Sequence, residues 1–360
     1  MLNFSAQFPL NFLSFGQVGV SILREFYKMA LDPSLFKASE HPIDLSSFDL
    51  SKEFLEWIQK NLKEAPKRHT DSTPTLRLWH INGSNNSYSK KQILLTFHET
   101  DRLTPTEVEL LKNSKIAVTS KYTQSVFGAH GIDSAYVPLG FDSDHFRKTG
   151  KQYFPDRITF NLLGKFEKRK HHEKIIKSWV KKYGKNHKFA LQCAIHNSFY
   201  GSDDELRLIY SNILNNQSIF NVHFLGRMPR NADYNDFLNS GDIVVGCSGG
   251  EGFGLPEFHS LALGKHGVIL DAHAYKDWAN NDNSILLPPS GKIEVYDNKF
   301  FRKDAPFNQG EIYDFSPDEF IDCCELAIKR VEHDRVNHAG LKLQSEFSYS
   351  KTAQNLLTLI

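Results

Sequence analysis

The stretch 248-SGGEGFGLPEFHSLALG-264 decides how this part of the chain can fold. It directly follows a short apolar run, 242-DIVVGCS, that is typical of a buried strand. Pro256 fits the first turn of a helix, where its missing N–H costs nothing. The pattern therefore predicts a strand, a glycine loop and a helix N-terminus. Free N–H groups and the positive end of the helix dipole make such a turn suitable for an anion such as a phosphate.

Glu251 lies among the glycines of this loop, and a carboxylate is a poor neighbour for a phosphate. It can instead accept hydrogen bonds from hydroxyl groups, such as those of a sugar. We therefore predict a ligand that has both a phosphate part and a sugar part. Glycine allows positive φ and close approach of a ligand to the backbone, and the loop has it at Gly249, Gly250, Gly252 and Gly254. The alternative is a plain glycine turn that caps a core helix.

The composition limits the class of protein. The 360 residues are 40% apolar and 24% charged, and the net charge of +1 gives no overall attraction to nucleic acid or to an anionic membrane. The four cysteines lack C-x-x-C spacing, so we predict neither a disulfide framework nor a zinc site, and we expect a cytoplasmic protein. The sequence predicts no signal peptide and no transmembrane segment, and it leaves peripheral membrane contact open.

The domain organisation follows from the alternation of short apolar runs with longer amphipathic runs, which predicts an α/β fold with parallel sheets. This pattern lapses over 141-FDSDHFRKTGKQYFP-155, which we interpret as a linker. We predict an N-terminal Rossmann-like domain over 1–150, a C-terminal Rossmann-like domain over 151–340, and a final helix within 341–360 that packs back on the first domain. A ligand is expected in the cleft between the domains, at the carboxyl ends of the strands.

The apolar patterning also predicts the individual elements of both domains. Strands are expected at 1–8, 76–81, 93–97, 115–120 and 134–140, and then at 157–164, 188–195, 219–226, 242–248 and 267–270. Helices are expected at 18–30, 52–62, 105–113 and 122–129, and then at 172–182, 204–215, 233–239, 255–263, 317–331 and 349–360.

The opening stretch resembles the E-x7-E region of retaining GT-B glycosyltransferases, especially glycosyltransferase family 4, where it reads E-G-F-G-L-P-x-x-E-A-x-A-x-G. The resemblance implies that Glu251 lies near a donor sugar. The second glutamate of the family binds the ribose hydroxyls of the nucleotide, and its position is occupied here by His259. A histidine can still hydrogen-bond to a ribose. Glu257, two residues earlier, is expected to face elsewhere on a helix.

A second segment, 161-NLLGKFEKRKHHEKIIKSW, resembles the family's G-[RK]-x-E-x-R-K-G-H-D segment. The resemblance implies that Lys165 and Lys170 neutralise a diphosphate leaving group, with Arg169 as a substitute for Lys170. The alternative is a lysine-rich, solvent-exposed start of a helix. The adjacent His171 and His172 point in different directions on a helix, so we expect them in solvent rather than on a metal.

Two segments of the first domain carry looser resemblances. The segment 94-LLTFHETDRLTP resembles the family's strand-then-histidine segment, which implies that His98 reaches the donor sugar or the acceptor and that Glu99 can orient His98 or contact the acceptor. The segment 14-SFGQVGVSILREF resembles the family's first glycine turn. It implies that Gly16 and Gly19 let the backbone approach the phosphate or the acceptor. A structural histidine and an ordinary glycine turn remain the alternatives.

The remaining donor contacts are also implied by resemblance. The run 223-HFLGRMPRNADYNDFLNSGDIVVGCS resembles the family's base-binding strand and the helix after it, so backbone at Gly226 and Arg227 would meet the base edge. The glycine loop would add donor contacts at Gly252, Phe253, Gly254 and Leu255. The Asp142-Ser143-Asp144 triplet looks like a D-x-D metal motif, but it lies in the predicted linker. GT-B enzymes do not normally need a bound metal, so no metal and no cofactor are predicted.

The resemblance implies a metal-independent glycosyltransferase that moves a sugar from a nucleoside-diphosphate sugar to an acceptor, with retention of anomeric configuration. The acceptor stays open among a glycan, a lipid, a protein and a modified base in nucleic acid. The basic run from Lys165 to Lys188 favours the last, but a solvated helix explains it equally well. The loss of the second glutamate favours another class, a non-catalytic sugar-nucleotide-binding or scaffold protein. A phosphorylase has less support, because no pyridoxal-phosphate lysine motif is recognised.

Overall fold

The computed structural model describes residues 3–38 and 42–360, which form two compact units. Unit 1 comprises the described residues up to 145 together with 303–310 and 345–360, and unit 2 comprises residues 146–302 and 311–344. The chain thus passes from unit 1 to unit 2 inside the segment interpreted as a linker. The return of 303–310 to unit 1 was not predicted, because nothing in that short polar segment marks a domain change.

Unit 1 is built on a six-stranded sheet with the order β2-β1-β3-β4-β5-β6, in which every neighbouring pair is parallel. Its strands are β1 Ser5–Phe8, β2 Ser34–Lys37, β3 Thr75–Leu78, β4 Gln92–Thr96, β5 Lys115–Val118 and β6 Ser134–Tyr136. Its helices are α1 Ser14–Lys28, α2 Lys52–Arg68, α3 Pro105–Leu111, α4 Lys121–Ala129 and α12 Tyr349–Leu357, the last helix of the chain.

Local sequence explains where several of these helices begin. The Thr104 hydroxyl accepts from the Glu107 N–H while the Glu107 carboxylate accepts from the Thr104 N–H, and Pro105 occupies the first turn of α3. Ser348 caps α12 by accepting from the Lys351 N–H. Helix α12 then packs on α1, so the carboxyl terminus of the chain belongs to unit 1.

Unit 2 contains a second parallel six-stranded sheet, with the order β12-β11-β10-β7-β8-β9. Its strands are β7 Ile158–Leu163, β8 Phe189–Ala194, β9 Val222–Phe224, β10 Ile243–Gly246, β11 His266–Leu270 and β12 Ile285–Leu287. The strand order reverses between the neighbours β7 and β10, and ligands of doubly wound sheets bind beyond the carboxyl ends of the strands at such a point. The loop 248–254 leaves β10 at this end of the sheet.

One hairpin and seven α-helices lie wholly or partly in the described part of unit 2, and the last of these helices ends in unit 1. The helices are α5 His172–Tyr183, α6 Asp203–Ile213, α7 Asn231–Ser240, α8 Leu255–Ala262, α9 Pro317–His333, α10 His338–Leu341 and α11 Leu343–Glu346. The hairpin pairs β13 Pro289–Glu294 with β14 Glu311–Phe315 in antiparallel fashion. Strand β10 is buried along its whole length, as expected for a parallel strand covered on both faces.

The predicted α/β class is confirmed, and each predicted strand and helix is present with shifted ends, except that residues 1–2 of the predicted strand 1–8 lie outside the described residues. The features that were missed are β2, β12, the β13–β14 hairpin and the two short helices α10 and α11. Strand β2 has only four residues at the edge of its sheet, and β13 is mostly exposed, so neither carries a strong apolar pattern. Within residues 3–38 and 42–360, no helix combines the length and the apolar character that crossing a bilayer requires.

Candidate functional site

The candidate site is organised around Glu251, whose side chain is almost fully buried in the loop after β10. Its Oε1 accepts a hydrogen bond from Arg169 Nη1 at 2.8 Å and also contacts the ammonium group of Lys170. Both cations come from the one-turn 3₁₀ helix at 168–170, which follows β7. The sequence-predicted residues Glu251, Arg169 and Lys170 are therefore brought together in one buried cluster.

Lys170 reaches this position across Gly164, which follows β7 directly. The φ of Gly164 is +95°, a conformation that favours glycine. A Cβ built on it would lie 3.1 Å from Lys170 Cε, so a side chain there would crowd the aliphatic part of the lysine. The glycine between the strand and the basic segment thus shapes the path of the lysine.

Glu167 joins the third predicted cation to this cluster. Its carboxylate is buried and binds Lys165 Nζ at 3.0 Å through Oε1 and Arg169 Nη2 at 3.0 Å through Oε2. Arg169 therefore bridges two buried carboxylates, Glu167 and Glu251. Lys165 is about half exposed, and its ammonium group also lies over the rings of Phe199 and Phe300.

The charges of the cluster stabilise one another. Burial disfavours the charged form of Glu251, but the neighbouring Arg169 and Lys170 outweigh it and lower the pKa of Glu251 to about 2. Burial likewise opposes the charge of Lys170, and the negative Glu251 reverses the effect and raises the lysine pKa. Both groups are therefore ionised at neutral pH, and their charges are held in a site with little solvent.

The glycine loop is shaped by contacts with its own chain. Only Gly254 among the four loop glycines has positive φ, at +84°, and it precedes the first residue of α8. Gly249, Gly250 and Gly252 do not use the positive φ that glycine allows. Gly249 donates to the Arg169 carbonyl at 2.8 Å and accepts from the Tyr313 N–H at 2.8 Å, so it ties the basic segment to β14.

The other predicted donor contacts of this loop lie at the start of α8. Phe253 is buried and its carbonyl accepts from Trp278 Nε1 at 2.9 Å. Leu255 is the first residue of α8, and Pro256 follows it as predicted. Gly252 lies between these residues and Glu251, so the N-terminus of α8 and the Glu251 carboxylate belong to one continuous loop.

Glu257 is a residue of this region that the sequence interpretation did not place in the site. Its side chain is buried, and its Oε2 has no hydrogen-bond partner among the described residues. A Cβ on Gly246 would lie 2.9 Å from Glu257 Cγ, so the glycine at the end of β10 makes room for this carboxyl group. Burial raises the pKa of Glu257. The positive Lys170 acts in the opposite direction, and the negative Glu251 raises the pKa further.

His259, at the position of the family's second glutamate, is also buried. Its ring packs against the ring of Phe146, with centroids 4.4 Å apart, and against the ring of Phe258. Gly226 and Arg227, the predicted base-edge residues, follow β9 and are exposed. No atom lies within 4 Å of a Cβ built on Gly226, so this segment has open space beside it.

The predicted residues of unit 1 lie in different surroundings. His98 follows β4 and is buried, and its Nε2 lies 3.1 Å from both the Arg102 carbonyl and the Thr100 hydroxyl oxygen. A Cβ on Gly16 would overlap the Asn11 carbonyl, and one on Gly19 would lie 2.9 Å from the Pro9 carbonyl. Within unit 1, these two glycines let the backbone of α1 lie close to residues 9–11 of the same chain.

His98 is expected to stay neutral well below neutral pH. Burial is the largest effect and lowers the pKa of His98 to about 4. Because the unfolded histidine has a pKa of about 6.5, the unfolded state binds more protons between these values, and His98 costs stability as pH falls through that window. Ring ¹⁵N shifts, assigned with a His98→Gln variant, should show an uncharged ring at pH 5.5. Titration near pH 6.5 would contradict this placement.

Two other sequence expectations can be compared with the structure. His171 and His172 are both buried, which corrects the expectation of solvent exposure. The ring Nε2 of His171 donates to the Tyr313 carbonyl, and that of His172 donates to the Leu163 carbonyl. The carboxylates of the D-x-D triplet are engaged by cations, because Arg24 binds both Asp142 and Asp144 at about 3 Å.

The basic run from Lys165 to Lys188 is partly neutralised within unit 2. Lys174 pairs with Asp314 at 2.7 Å, Lys177 pairs with Glu173 at 2.5 Å, and Lys182 lies 3.3 Å from Glu325. These pairs leave less positive charge for a polyanion than the sequence suggests.

Comparison with known proteins adds information on the fold. No protein-family model matches the chain, and no curated protein matches its sequence. Among solved structures, sucrose-phosphate synthase from Thermosynechococcus elongatus has a TM-score of 0.64 at 14% identity, over 99% of this chain and 94% of its own. Anabaena Alr3699/HepE, in complex with UDP and glucose, has a TM-score of 0.65 at 13% identity, over 99% of this chain and 98% of its own. A glycosyltransferase from Rickettsia africae ESF-5 has a TM-score of 0.63 at 11% identity, over 99% of this chain and 98% of its own.

The chain has the GT-B fold. These structures align with both parallel sheets, because the alignments cover nearly the whole chain. At identities of 11–14% the likeness concerns architecture, and the chemistry has to be argued from the site residues themselves.

Proposed function

We propose that unit 2 binds a nucleoside-diphosphate sugar at the loop 248–255, and that the chain transfers the sugar to an acceptor. The observation that carries this proposal is the buried cluster of Glu251, Arg169 and Lys170 at the point where β10 leads into α8. Two buried cations beside a helix N-terminus match a diphosphate, and the carboxylate among them matches sugar hydroxyls.

The cluster suggests an exchange of partners on binding. In the structure Glu251 is the counter-ion of Arg169 and Lys170. A diphosphate would supply the negative charge that these cations need, and this would free the Glu251 carboxylate to accept hydrogen bonds from the sugar. The same cations would then stabilise the diphosphate as it leaves, when its negative charge grows.

The reaction that we propose breaks the bond between the anomeric carbon and the diphosphate oxygen, and the electron pair leaves with the diphosphate. An acceptor hydroxyl forms the new bond to that carbon, and its proton passes to the departing phosphate oxygen. Attack on the same face as the departing group would retain the anomeric configuration. We propose a family 4-like enzyme that needs no metal ion, because Lys165, Arg169 and Lys170 can supply the positive charge.

The comparisons support the choice of donor to test first. The Anabaena HepE structures contain UDP, UDP with glucose, or UDP-glucose. UDP and UDP-glucose are therefore the first members of a panel that also includes GDP, ADP and CDP and their common sugar conjugates.

Thermal unfolding with this panel tests the proposal. A ligand that binds only the folded state raises Tm in proportion to the logarithm of its concentration over Kd. We expect one nucleotide base to give a clear rise, with the diphosphate far more effective than the nucleoside, and with no change when EDTA is added. No rise with any member at millimolar concentration would contradict the proposal.

Replacing Lys165 separates a diphosphate contact from general electrostatics. Lys165→Ala is expected to weaken binding of the responding nucleoside diphosphate about tenfold and to leave nucleoside binding unchanged. The reason is that Lys165 would make a charge-assisted contact with the phosphates, which the nucleoside lacks. Lys181→Ala, an exposed lysine on α5, is the matched control and should have no effect. Calorimetric titration measures both ligands, and equal weakening of the two would argue against a diphosphate contact.

A non-catalytic sugar-nucleotide-binding protein is the second candidate, and the surroundings of His259 favour it. The ring at the position of the ribose-binding glutamate is buried against Phe146 and Phe258 instead of being exposed. If the protein only binds sugar nucleotides, the same rise in Tm is expected but no turnover of the donor. Slow hydrolysis of the donor by water, or transfer to any acceptor, would exclude it.

A further inference from the structure

A cavity in unit 2 lies outside the Glu251 cluster. Its volume is about 790 Å³, and it is bounded by the turn before α5, the first half of α5, the start of α6 and the tip of the β13–β14 hairpin. Neither Glu251 nor any residue of the loop 248–255 lines it. Small-molecule sites have volumes of about 300–1,000 Å³, so the cavity can hold a ligand as large as a disaccharide.

The lining charges are balanced, which argues against a simple anion site. Four lysines and four carboxylates line the cavity: Lys168, Lys174, Lys177, Lys299, Glu167, Glu173, Glu205 and Asp297. A phosphate would meet repulsion from the carboxylates as well as attraction to the lysines. Sugar hydroxyls both donate and accept, so they can use both kinds of group. The rings of Phe166 and Tyr200 also line the cavity and contribute apolar surface, and the Lys299 ammonium group lies over one face of the Tyr200 ring.

The walls of the cavity are held in place by hydrogen bonds. Lys168 Nζ donates to the carbonyls of Glu294 and Tyr296, each at 2.8 Å, and so connects the turn before α5 with the hairpin. His171 Nε2 donates to the Tyr313 carbonyl at 2.8 Å and makes a second connection. A site whose walls are fixed before binding loses less conformational entropy when the ligand arrives.

His172 is a lining residue of the cavity that carries an unused hydrogen-bond acceptor. Only 2% of its surface is exposed. Its Nε2 donates to the Leu163 carbonyl at 2.9 Å, which leaves Nδ1 as an acceptor without a hydrogen-bond partner among the described residues. Burial lowers the pKa of His172 to about 3, so this nitrogen stays unprotonated and keeps its capacity to accept a hydrogen bond.

We propose that this cavity binds a neutral saccharide of about two sugar units, at a site separate from the nucleotide. The proposal does not depend on the proposed function, although the two sites share one residue. Glu167 lines the cavity, and its carboxylate holds Arg169, which in turn holds Glu251. A saccharide in the cavity would therefore lie next to the residue that organises the Glu251 cluster.

Binding of named sugars tests the proposal. Maltose, sucrose and cellobiose are titrated into the full chain, with glucose 6-phosphate and inorganic phosphate as anionic comparators, and saturation-transfer NMR measures binding. At least one neutral disaccharide is expected to bind with Kd below about 10 mM, at least as tightly as either anion. Tyr200→Ala and Glu173→Gln should each weaken it about fivefold, whereas Tyr153→Ala, an exposed tyrosine that does not line the cavity, should have no effect.

Competition with the nucleotide separates the two sites. Saturating UDP should leave the disaccharide signal in place, and Glu173→Gln should leave the UDP-induced rise in Tm unchanged. The proposal is overturned if no neutral disaccharide binds, if phosphate alone binds, or if UDP removes the signal while Tyr200→Ala does not. Because the rise in Tm with UDP is measured on the same preparation, failure of the nucleotide proposal is detected independently.

Discussion

Glu251→Gln is expected to lower the free energy of unfolding by about 3 kcal/mol and to bind UDP about tenfold more tightly than the wild type does. Glu251 is the buried counter-ion of Arg169 and Lys170. Removing its charge leaves two buried cations under-compensated, and breaking a buried pair in this way costs about 3–5 kcal/mol. A bound diphosphate restores the missing negative charge, which is why affinity should rise as stability falls.

Urea unfolding and calorimetric titration of UDP measure the two effects on the same protein. Glu109→Gln is the matched control, because Glu109 pairs with Lys112 on the exposed face of α3. We expect that control to change stability by less than about 0.5 kcal/mol and UDP affinity not at all. Unchanged stability in Glu251→Gln would contradict the buried ion cluster, and weaker UDP binding would contradict the exchange of partners.

Gly254→Ala is expected to destabilise the fold by about 3 kcal/mol. Gly254 has a φ of +84°, which is strained for alanine. A Cβ there would also overlap the Tyr275 ring and lie 3.3 Å from Trp278 Cζ2. Backbone strain of about 1–3 kcal/mol and overpacking of similar size act together. The entry into α8 should shift, so UDP binding should weaken as well.

Thermal and urea unfolding of Gly254→Ala should be compared with Gly128→Ala. Gly128 lies in α4, and no atom lies within 4 Å of a Cβ built on it. That substitution should stabilise the protein by about 0.5 kcal/mol, because alanine favours a helix over glycine. Equal effects of the two substitutions would mean that the turn into α8 is not shaped as the structure has it.

The sequence predicted the core of the candidate site because its signals are local. The strand, the glycine loop and Pro256 are adjacent in the chain, and so are the basic residues after β7. Arg169 was predicted only as a substitute for Lys170, yet both cations contact Glu251. Glu167 lies inside the same motif, but its role as the link between Lys165 and Arg169 depends on side-chain geometry that spacing alone does not give.

The features that the sequence missed are formed by residues far apart in the chain. Gly249 is glycine because a Cβ would overlap the Tyr313 carbonyl, and Tyr313 lies in a hairpin without a clear strand pattern. The cavity beside α5 is lined by residues between Phe166 and Pro317, which only the folded chain brings together. Glu257 was expected on a different side of the helix from His259, but both side chains are buried in the structure.

Release of nucleoside diphosphate from a sugar nucleotide tests the central claim most directly. The donor whose diphosphate raises Tm is incubated with the wild type and with Glu251→Gln, with water and a panel of acceptors, and free diphosphate is measured over time. We expect the wild type to release it and Glu251→Gln to be slower by about 100-fold, as for the loss of a group that stabilises a transition state. Equal rates in the two proteins, or no release by the wild type from a donor that it binds, would contradict a glycosyl-transfer site at Glu251.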